Sequence, residues 1–188
     1  TFDPGTLNGS TTYYWRIDEV NAYGTTTGTV WSFATAAPAP NPIDIYATGV
    51  DNNGNVIADS TVDPHWQVTQ SADASYPGPN AYTAVSGAYP MSPSGPWLAN
   101  TSTSKWIKVR SDTSTELAPG TYVYTQTFDL TGFDPTTAQL SGQFACDDEV
   151  DHIELNGVDM GQGASGFDSW HSFSLTSGFI AGQNTLSF

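Results

Sequence analysis

Residues 138–157 read AQLSGQFACDDEVDHIELNG, and this stretch decides the predicted fold. Apolar and polar side chains alternate through residues 138–146, which is typical of a strand with one buried face. The acidic run that follows predicts a bend, and residues 153–155 predict a second short strand. Asn156 and Gly157 then favour a two-residue hairpin turn, because both central positions take a positive φ. The stretch therefore predicts antiparallel β-structure.

The rest of the chain has the same character. Its 18 glycines and 12 prolines separate short runs rich in Thr, Tyr and Val, and no segment keeps a helical period. Further strands are predicted at residues 43–50, 62–68, 105–109, 122–130, 173–175 and 186–188, with a turn at 53–54. This spacing of short strands and turns is typical of an all-β, antiparallel β-sandwich.

A turn and a strand at residues 180–188, following the 138–157 stretch, complete the C-terminal pattern. In this order the chain resembles the galactose-binding-like, jelly-roll β-sandwich modules of secreted bacterial proteins. The resemblance implies a non-catalytic module that binds an extracellular polysaccharide or glycan, or adheres at the cell surface. It also implies a secreted or surface location.

The N-terminal segment resembles a different module. Residues 7–17 resemble the last part of a fibronectin type III domain, in which a Leu six positions before a Tyr forms a tyrosine corner; here the pair is Leu7 and Tyr13. Residues 1–35 are therefore predicted to be a partial fibronectin type III-like β-hairpin. The alternating prolines of residues 36–42 favour a stiff linker, and residues 43–188 are predicted to form the jelly-roll-like sandwich.

Charge restricts the partners. The chain carries 19 acidic and 4 basic residues, for a net charge of −15. Phosphate backbones require clustered Lys and Arg, so nucleic acid and anionic membranes are excluded as partners. No apolar run approaches the roughly 18 residues of a membrane span, which excludes membrane insertion.

Aromatic side chains are the predicted ligand-binding residues, because sugars present flat C–H faces to aromatic rings while polar groups bind their hydroxyls. Four of the six tryptophans (Trp15, Trp31, Trp66 and Trp106) lie in strand patterns and favour core packing. The remaining candidates lie in predicted loops, including the long segment 70–100, where exposure is expected. The predicted ligand-binding set is Trp97, Trp170, Tyr76, Tyr82 and Tyr89.

The acidic run offers a candidate metal site. Asp147, Asp148 and Asp151 could bind a structural calcium ion with backbone carbonyls, or could form a solvated bend. Cys146, the one cysteine, falls on the inward phase of its strand and favours a buried structural role. No catalytic motif or cofactor fingerprint occurs, so the protein is not expected to be an enzyme and no cofactor besides calcium is expected.

An alternative function is structural. Two strands cannot bury a core alone, and both ends of the chain look cut inside a domain. The hairpin of residues 1–35 could therefore pair with another copy, beside an open C-terminal strand that ends at Phe188. In that hypothesis the chain is a subunit or repeat of an extracellular bacterial filament, assembled head-to-tail by strand complementation.

Overall fold

A computed structural model describes residues 3–36, 43–112 and 116–188 of the chain. The chain divides into two compact units, residues 1–42 and 43–188. Most of the predicted linker at 36–42 lies outside the described residues. Nearly all of the regular structure is antiparallel β-strand, and a single short 3₁₀ turn is the helical element of the described segments. The predicted all-β fold is thus confirmed.

The first unit contains two small antiparallel pairs. Its strands are β1 (Thr12–Trp15), β2 (Glu19–Asn21), β3 (Gly24–Thr26) and β4 (Trp31–Ala34), paired as β1–β4 and β2–β3. The Tyr13 hydroxyl accepts a hydrogen bond of 2.8 Å from the Asn8 backbone N–H, and its ring stacks on Phe33. A tyrosine hydroxyl bonded to backbone a few residues upstream is the geometry of a tyrosine corner. The predicted core packing of Trp15 and Trp31 is wrong, because these side chains are 42% and 55% exposed.

The second unit is a two-layered sandwich. The strands of its larger sheet are β5 (Val62–Gln70), β6 (Asn80–Thr83), β7 (Ile107–Lys108), β8 (Val123–Asp129), β10 (Glu154–Leu155), β11 (Val158–Asp159) and β13 (Gln183–Ser187). They lie in the order β11-β10-β13-β8-β5-β6-β7, and the long hairpin of β9 (Leu140–Val150) and β12 (Ala164–Leu175) forms the other layer. The core contains side chains of both layers, among them Trp66, Phe128, Leu155, Phe173 and Leu186.

A glycine fits the two strands of the smaller layer together. Gly142 pairs with Phe173 across the β9–β12 ladder. A Cβ at Gly142 would lie 2.7 Å from the Phe173 ring, closer than side-chain carbon atoms approach. The glycine therefore lets the aromatic ring lie over the neighbouring strand, where it joins the core.

The predicted Asn-Gly turn is confirmed. Asn156 and Gly157 have φ values of 56° and 74° and join the paired strands β10 and β11. The Asn156 side chain also accepts from the Thr185 N–H and donates to Gly178 and Asn184. The residue that the turn requires therefore also fastens the hairpin to β13.

The predicted strand at residues 43–50 is wrong. Within it the structure shows one isolated bridge, between Val50 and Val56. The backbone of Tyr46 pairs instead with a side chain: its N–H donates to the Gln126 amide oxygen and its C=O accepts from the Gln126 amide nitrogen, each at 2.8 Å. The Trp66 indole N–H also donates to the Tyr46 carbonyl. The side-chain amide of the buried Gln126 thus satisfies the backbone N–H and C=O of Tyr46, which a neighbouring strand would otherwise pair.

The acidic run is not a bend. Strand β9 continues to Val150, and Glu149 still pairs with Ser165. Cys146 is half-buried rather than fully buried, and its sulfur lies 3.3 Å from the Ala164 carbonyl oxygen. Burial raises the pKa of the Cys146 thiol, which keeps it protonated and weakly reactive.

The C-terminal strand is not an open edge. Strand β13 has β8 on one side and β10 on the other, and Phe188 exchanges both backbone hydrogen bonds with Tyr124. The strands at the two ends of the larger sheet are β11 and β7. The part of the chain that the structure describes contains no helix with the length and hydrophobicity needed to cross a bilayer.

Candidate ligand-binding cleft

A cleft of about 440 Å³ is lined by residues of the segment that joins β6 to β7. We call it the Trp97 cleft. The residues that line it are Ser86, Gly87, Met91, Ser92, Pro93, Gly95, Trp97, Ala99, Asn100, Thr101 and Lys105. Its size lies within the range of small-ligand sites, and its aromatic, aliphatic and polar lining is typical of them.

Trp97 is fixed by neighbours rather than loosely exposed. Its backbone N–H donates to the Pro90 carbonyl at 3.2 Å, and its ring contacts Trp106 and Phe167 with centroid distances of 4.5 and 6.1 Å. Leu98 donates to the Phe167 carbonyl and accepts from the Trp106 indole N–H, each at 2.8 Å. The half-buried ring therefore has a defined position at the cleft.

The polar side of the cleft is a connected network. The Lys105 ammonium donates to Asp59 Oδ1 at 2.6 Å. Ser86 donates to the same carboxylate twice, through its hydroxyl and its backbone N–H, both at 2.9 Å. The Asn100 amide nitrogen donates to the Ser86 hydroxyl at 3.1 Å, and the Asn100 amide oxygen accepts from the Trp106 backbone N–H. Asp59 therefore lies beside the lining residues Ser86 and Lys105 and holds both in place, while its own side chain stays 34% exposed.

The backbone beneath Lys105 is equally constrained. The Lys105 N–H donates to the Thr48 carbonyl, and the Thr48 hydroxyl donates to the Lys105 carbonyl. Gly49 has a φ of 73°, and a Cβ there would lie 2.6 Å from the Lys105 Cβ. The Gly49 N–H donates to the buried Asp63 carboxylate at 2.6 Å. Asp63 thus anchors the segment against which Lys105 packs.

The five predicted aromatic residues do not converge on one site. Of these five residues, all of which the structure describes, Trp97 lines the cleft and the other four do not. Tyr76 lies under the Arg110 guanidinium at 4.8 Å, and Tyr82 belongs to β6 rather than to a loop. Tyr89 is 66% exposed. Trp170 is 45% exposed and lies in β12, not in a loop, where the ladder is irregular between Gly166 and His171.

Sequence reasoning missed the polar residues of the cleft. Asp59 and Ser86 stand in no motif, and Asn100 stands only in an Asn-Thr-Ser glycosylation triplet, which says nothing about a cleft. Lys105 falls in the predicted strand 105–109, of which only Ile107–Lys108 is a strand. One signal was available: Lys105 is one of four basic residues in a strongly acidic chain. A basic residue in such a chain is expected to pair with an acidic one, but the sequence does not say which of the 19 acidic residues is the partner.

The ion pair makes stability depend on pH. The hydrogen bond from Lys105, followed by those from Ser86, lowers the pKa of Asp59 below its ordinary value of 3.8. A lowered carboxyl pKa adds stability above the unfolded-state pKa, and that stability is lost as pH falls through the folded-state pKa. The difference in free energy of unfolding between the wild-type protein and Asp59→Asn should therefore shrink as pH falls below 3.8. Urea unfolding of both proteins along a pH series measures this, and a constant difference would contradict it.

The acidic run places two carboxyl groups together. Partial burial of the Asp147 carboxyl, together with the neighbouring carboxyl of Asp148, raises the pKa of Asp147 to about 6. Asp151 follows the end of β9. Over residues 3–36, 43–112 and 116–188, no group of three or more His, Cys, Asp or Glu side chains is arranged to hold a metal ion. Calcium binding by Asp147, Asp148 and Asp151 stays a prediction, and it would require the Asp147 carboxyl to be ionised.

A chelator experiment tests the calcium prediction. If Asp147, Asp148 and Asp151 bind calcium in the native state, excess EDTA should lower the melting temperature and added calcium should restore it, because a ligand bound only to the native state stabilises it by mass action. The double variant Asp147→Asn/Asp148→Asn should not respond to either addition. A wild-type melting curve that is the same in EDTA and in calcium would leave this run as a solvated strand end.

Comparison of the chain with protein-family models, curated proteins and solved structures gives no match. The fibronectin type III and galactose-binding-like resemblances therefore remain predictions from the residues. The function must be argued from the geometry of the cleft.

Proposed function

We propose that this protein is a non-catalytic, extracellular carbohydrate-binding module that holds a glycan in the Trp97 cleft. One observation carries the proposal: a positioned tryptophan and a hydrogen-bonded polar network line the same cavity. A sugar ring has an apolar C–H face and a rim of hydroxyl groups. The Trp97 ring would contact the face, and the network behind Ser86 and Lys105 would meet the hydroxyls.

A glycan array tests this proposal. The full chain should bind a subset of neutral polysaccharide fragments, and Trp97→Ala should remove that binding. Tyr89→Ala is a matched control, because Tyr89 is an exposed aromatic residue of the same segment between β6 and β7 but is not among the residues that line the cleft. The proposal fails if no glycan is retained by the wild-type protein, or if binding is indifferent to Trp97→Ala.

A second candidate function, self-assembly through the first unit, is favoured by its exposed apolar side chains. Tyr14, Ile17, Val20, Tyr23 and Trp31 are all at least 55% exposed. Monomeric proteins seldom expose contiguous apolar patches beyond a few hundred Å², and each short strand pair leaves edges free for strand addition. Strand β13 is not the receptor, since it is paired on both sides.

Sedimentation velocity tests this second candidate. If the first unit mediates assembly, the full chain should form larger species as concentration rises, and deleting residues 1–37 should leave a folded monomer. Ile180→Ser is a control, because Ile180 is a half-exposed apolar residue of the second unit and its loss should not alter assembly. A full chain that stays monomeric at high concentration, or a deletion variant that still assembles, would exclude the filament hypothesis.

A further inference from the structure

We propose that the Asp59–Lys105 ion pair is the polar recognition element of the Trp97 cleft, and that it selects an uncharged sugar carrying two adjacent hydroxyl groups. This inference rests on the proposed carbohydrate-binding function and names the ligand class. The inference depends on the hydrogen-bond donors of Lys105 and the acceptor sites of Asp59 that their mutual contact and Ser86 do not use.

Lys105 has unused donors at the cleft. Lys105 is one of the residues that line the cavity, and its side chain is only 11% exposed. An ammonium group has three N–H donors, and within the described part of the chain Asp59 Oδ1 is the acceptor that the structure gives for Lys105 Nζ. Ammonium donors without acceptors are costly when they are shielded from water. Ligand oxygens entering the cleft would meet them.

Asp59 has unused acceptor capacity beside those donors. Its Oδ1 accepts from the Lys105 ammonium and the Ser86 hydroxyl, and its Oδ2 accepts from the Ser86 N–H. A carboxylate offers about four lone-pair sites, so one site on Oδ2 remains. A sugar hydroxyl both donates and accepts. One hydroxyl can therefore accept from Lys105 while its neighbour donates to Asp59.

Charge decides between neutral and acidic sugars. The lysine charge is already balanced by Asp59 at 2.6 Å, so the cleft holds no spare cation for a carboxylate ligand. The chain as a whole carries a net charge of −15, which repels polyanions. An uncharged glycan is therefore favoured over one built from uronic acids.

Binding measurements with defined probes test the inference. Cellohexaose, mannohexaose and xylohexaose are the neutral probes, and hexagalacturonate is the acidic probe. For the neutral probe that binds best, Lys105→Met should weaken binding about 10- to 100-fold, the range expected for hydrogen bonds to a charged group. Lys108→Met, which changes the other lysine of the chain, should leave it unchanged. Tighter binding of hexagalacturonate than of every neutral probe would overturn the inference.

A measurement on the wild-type protein distinguishes ligand contact by Lys105 from a purely structural role of this residue. The chain has two lysines, so ¹³C-lysine labelling gives two side-chain Cε signals. Titration with the best neutral probe should shift the Lys105 signal and leave that of Lys108 in place. A stationary Lys105 signal at saturation overturns the inference while leaving the proposed function intact. Failure of every probe to bind, or binding that Trp97→Ala does not weaken, overturns both.

Discussion

Replacing Asp63 with alanine is expected to lower the free energy of unfolding by about 3 kcal/mol or more. Asp63 is 3% exposed, and its carboxylate accepts from the backbone N–H groups of Gly49, His65 and Trp66 at 2.6, 2.8 and 2.9 Å. Hydrogen bonds to a charged group contribute roughly 1.5–3 kcal/mol each, and a buried donor left without a partner adds its desolvation cost. Alanine would leave three such donors unmet at once.

Urea unfolding measures this effect, and Asp129→Ala is the matched control. Asp129 is exposed and accepts from the single N–H of Thr131, so its loss should cost no more than about 1 kcal/mol. Asp63 holds Gly49, and Gly49 packs against Lys105 of the cleft. Asp63→Ala should therefore also weaken ligand binding by the molecules that remain folded. A free energy of unfolding for Asp63→Ala within the range of the control would show that the carboxylate does not anchor this segment.

Replacing Trp97 with alanine is expected to weaken glycan binding at least 30-fold, or about 2 kcal/mol, the threshold of an interface hot spot. The Trp97 ring is the aromatic face of the cleft and is held by Trp106 and Phe167. Its loss removes the aromatic surface on which a sugar ring would stack. Isothermal titration calorimetry with the best neutral oligosaccharide measures the change.

Two controls separate lost binding from lost structure. Trp170→Ala removes another exposed tryptophan outside the cleft lining and should change the affinity by less than about 3-fold. Trp97→Phe keeps an aromatic face and should retain part of the affinity. Equal losses for Trp97→Ala and Trp170→Ala would contradict the cleft as the site, and would restore the broader set of aromatic residues predicted from the sequence.

The parts of the fold that local chemistry dictates could be predicted from the sequence. The Asn156–Gly157 turn follows from the positive φ that both positions need. Alternation through the predicted strand 122–130 places Tyr122, Tyr124, Phe128 and Leu130 on one face. In the structure Phe128 and Leu130 lie in the core, and Tyr122 and Tyr124 are partly buried against core clusters. The segment 43–50 could not be predicted in this way, because its backbone partner is the side chain of Gln126, 80 residues from Tyr46.

The candidate site also has one part that local sequence predicts and one part that it does not. Trp97 stood out because an aromatic residue in a long loop rich in Pro and Gly has few reasons to be buried. The polar network did not stand out, since Asp59 and Lys105 are 46 residues apart and neither belongs to a motif. Trp15 and Trp31 were misassigned for a related reason: alternation indicates a strand, but whether a second layer covers it depends on the tertiary structure.

Chemical-shift mapping of the ¹⁵N-labelled full chain, titrated with the neutral oligosaccharide that binds best, tests the central claim most directly. We predict that the largest changes will fall on the Trp97 indole and on the backbone amides of Ser86, Met91, Asn100 and Lys105, which line one cavity. Changes confined to the surroundings of Trp170 or to the first unit, or a spectrum that does not change at saturating ligand, would contradict the assignment of the Trp97 cleft as the carbohydrate-binding site.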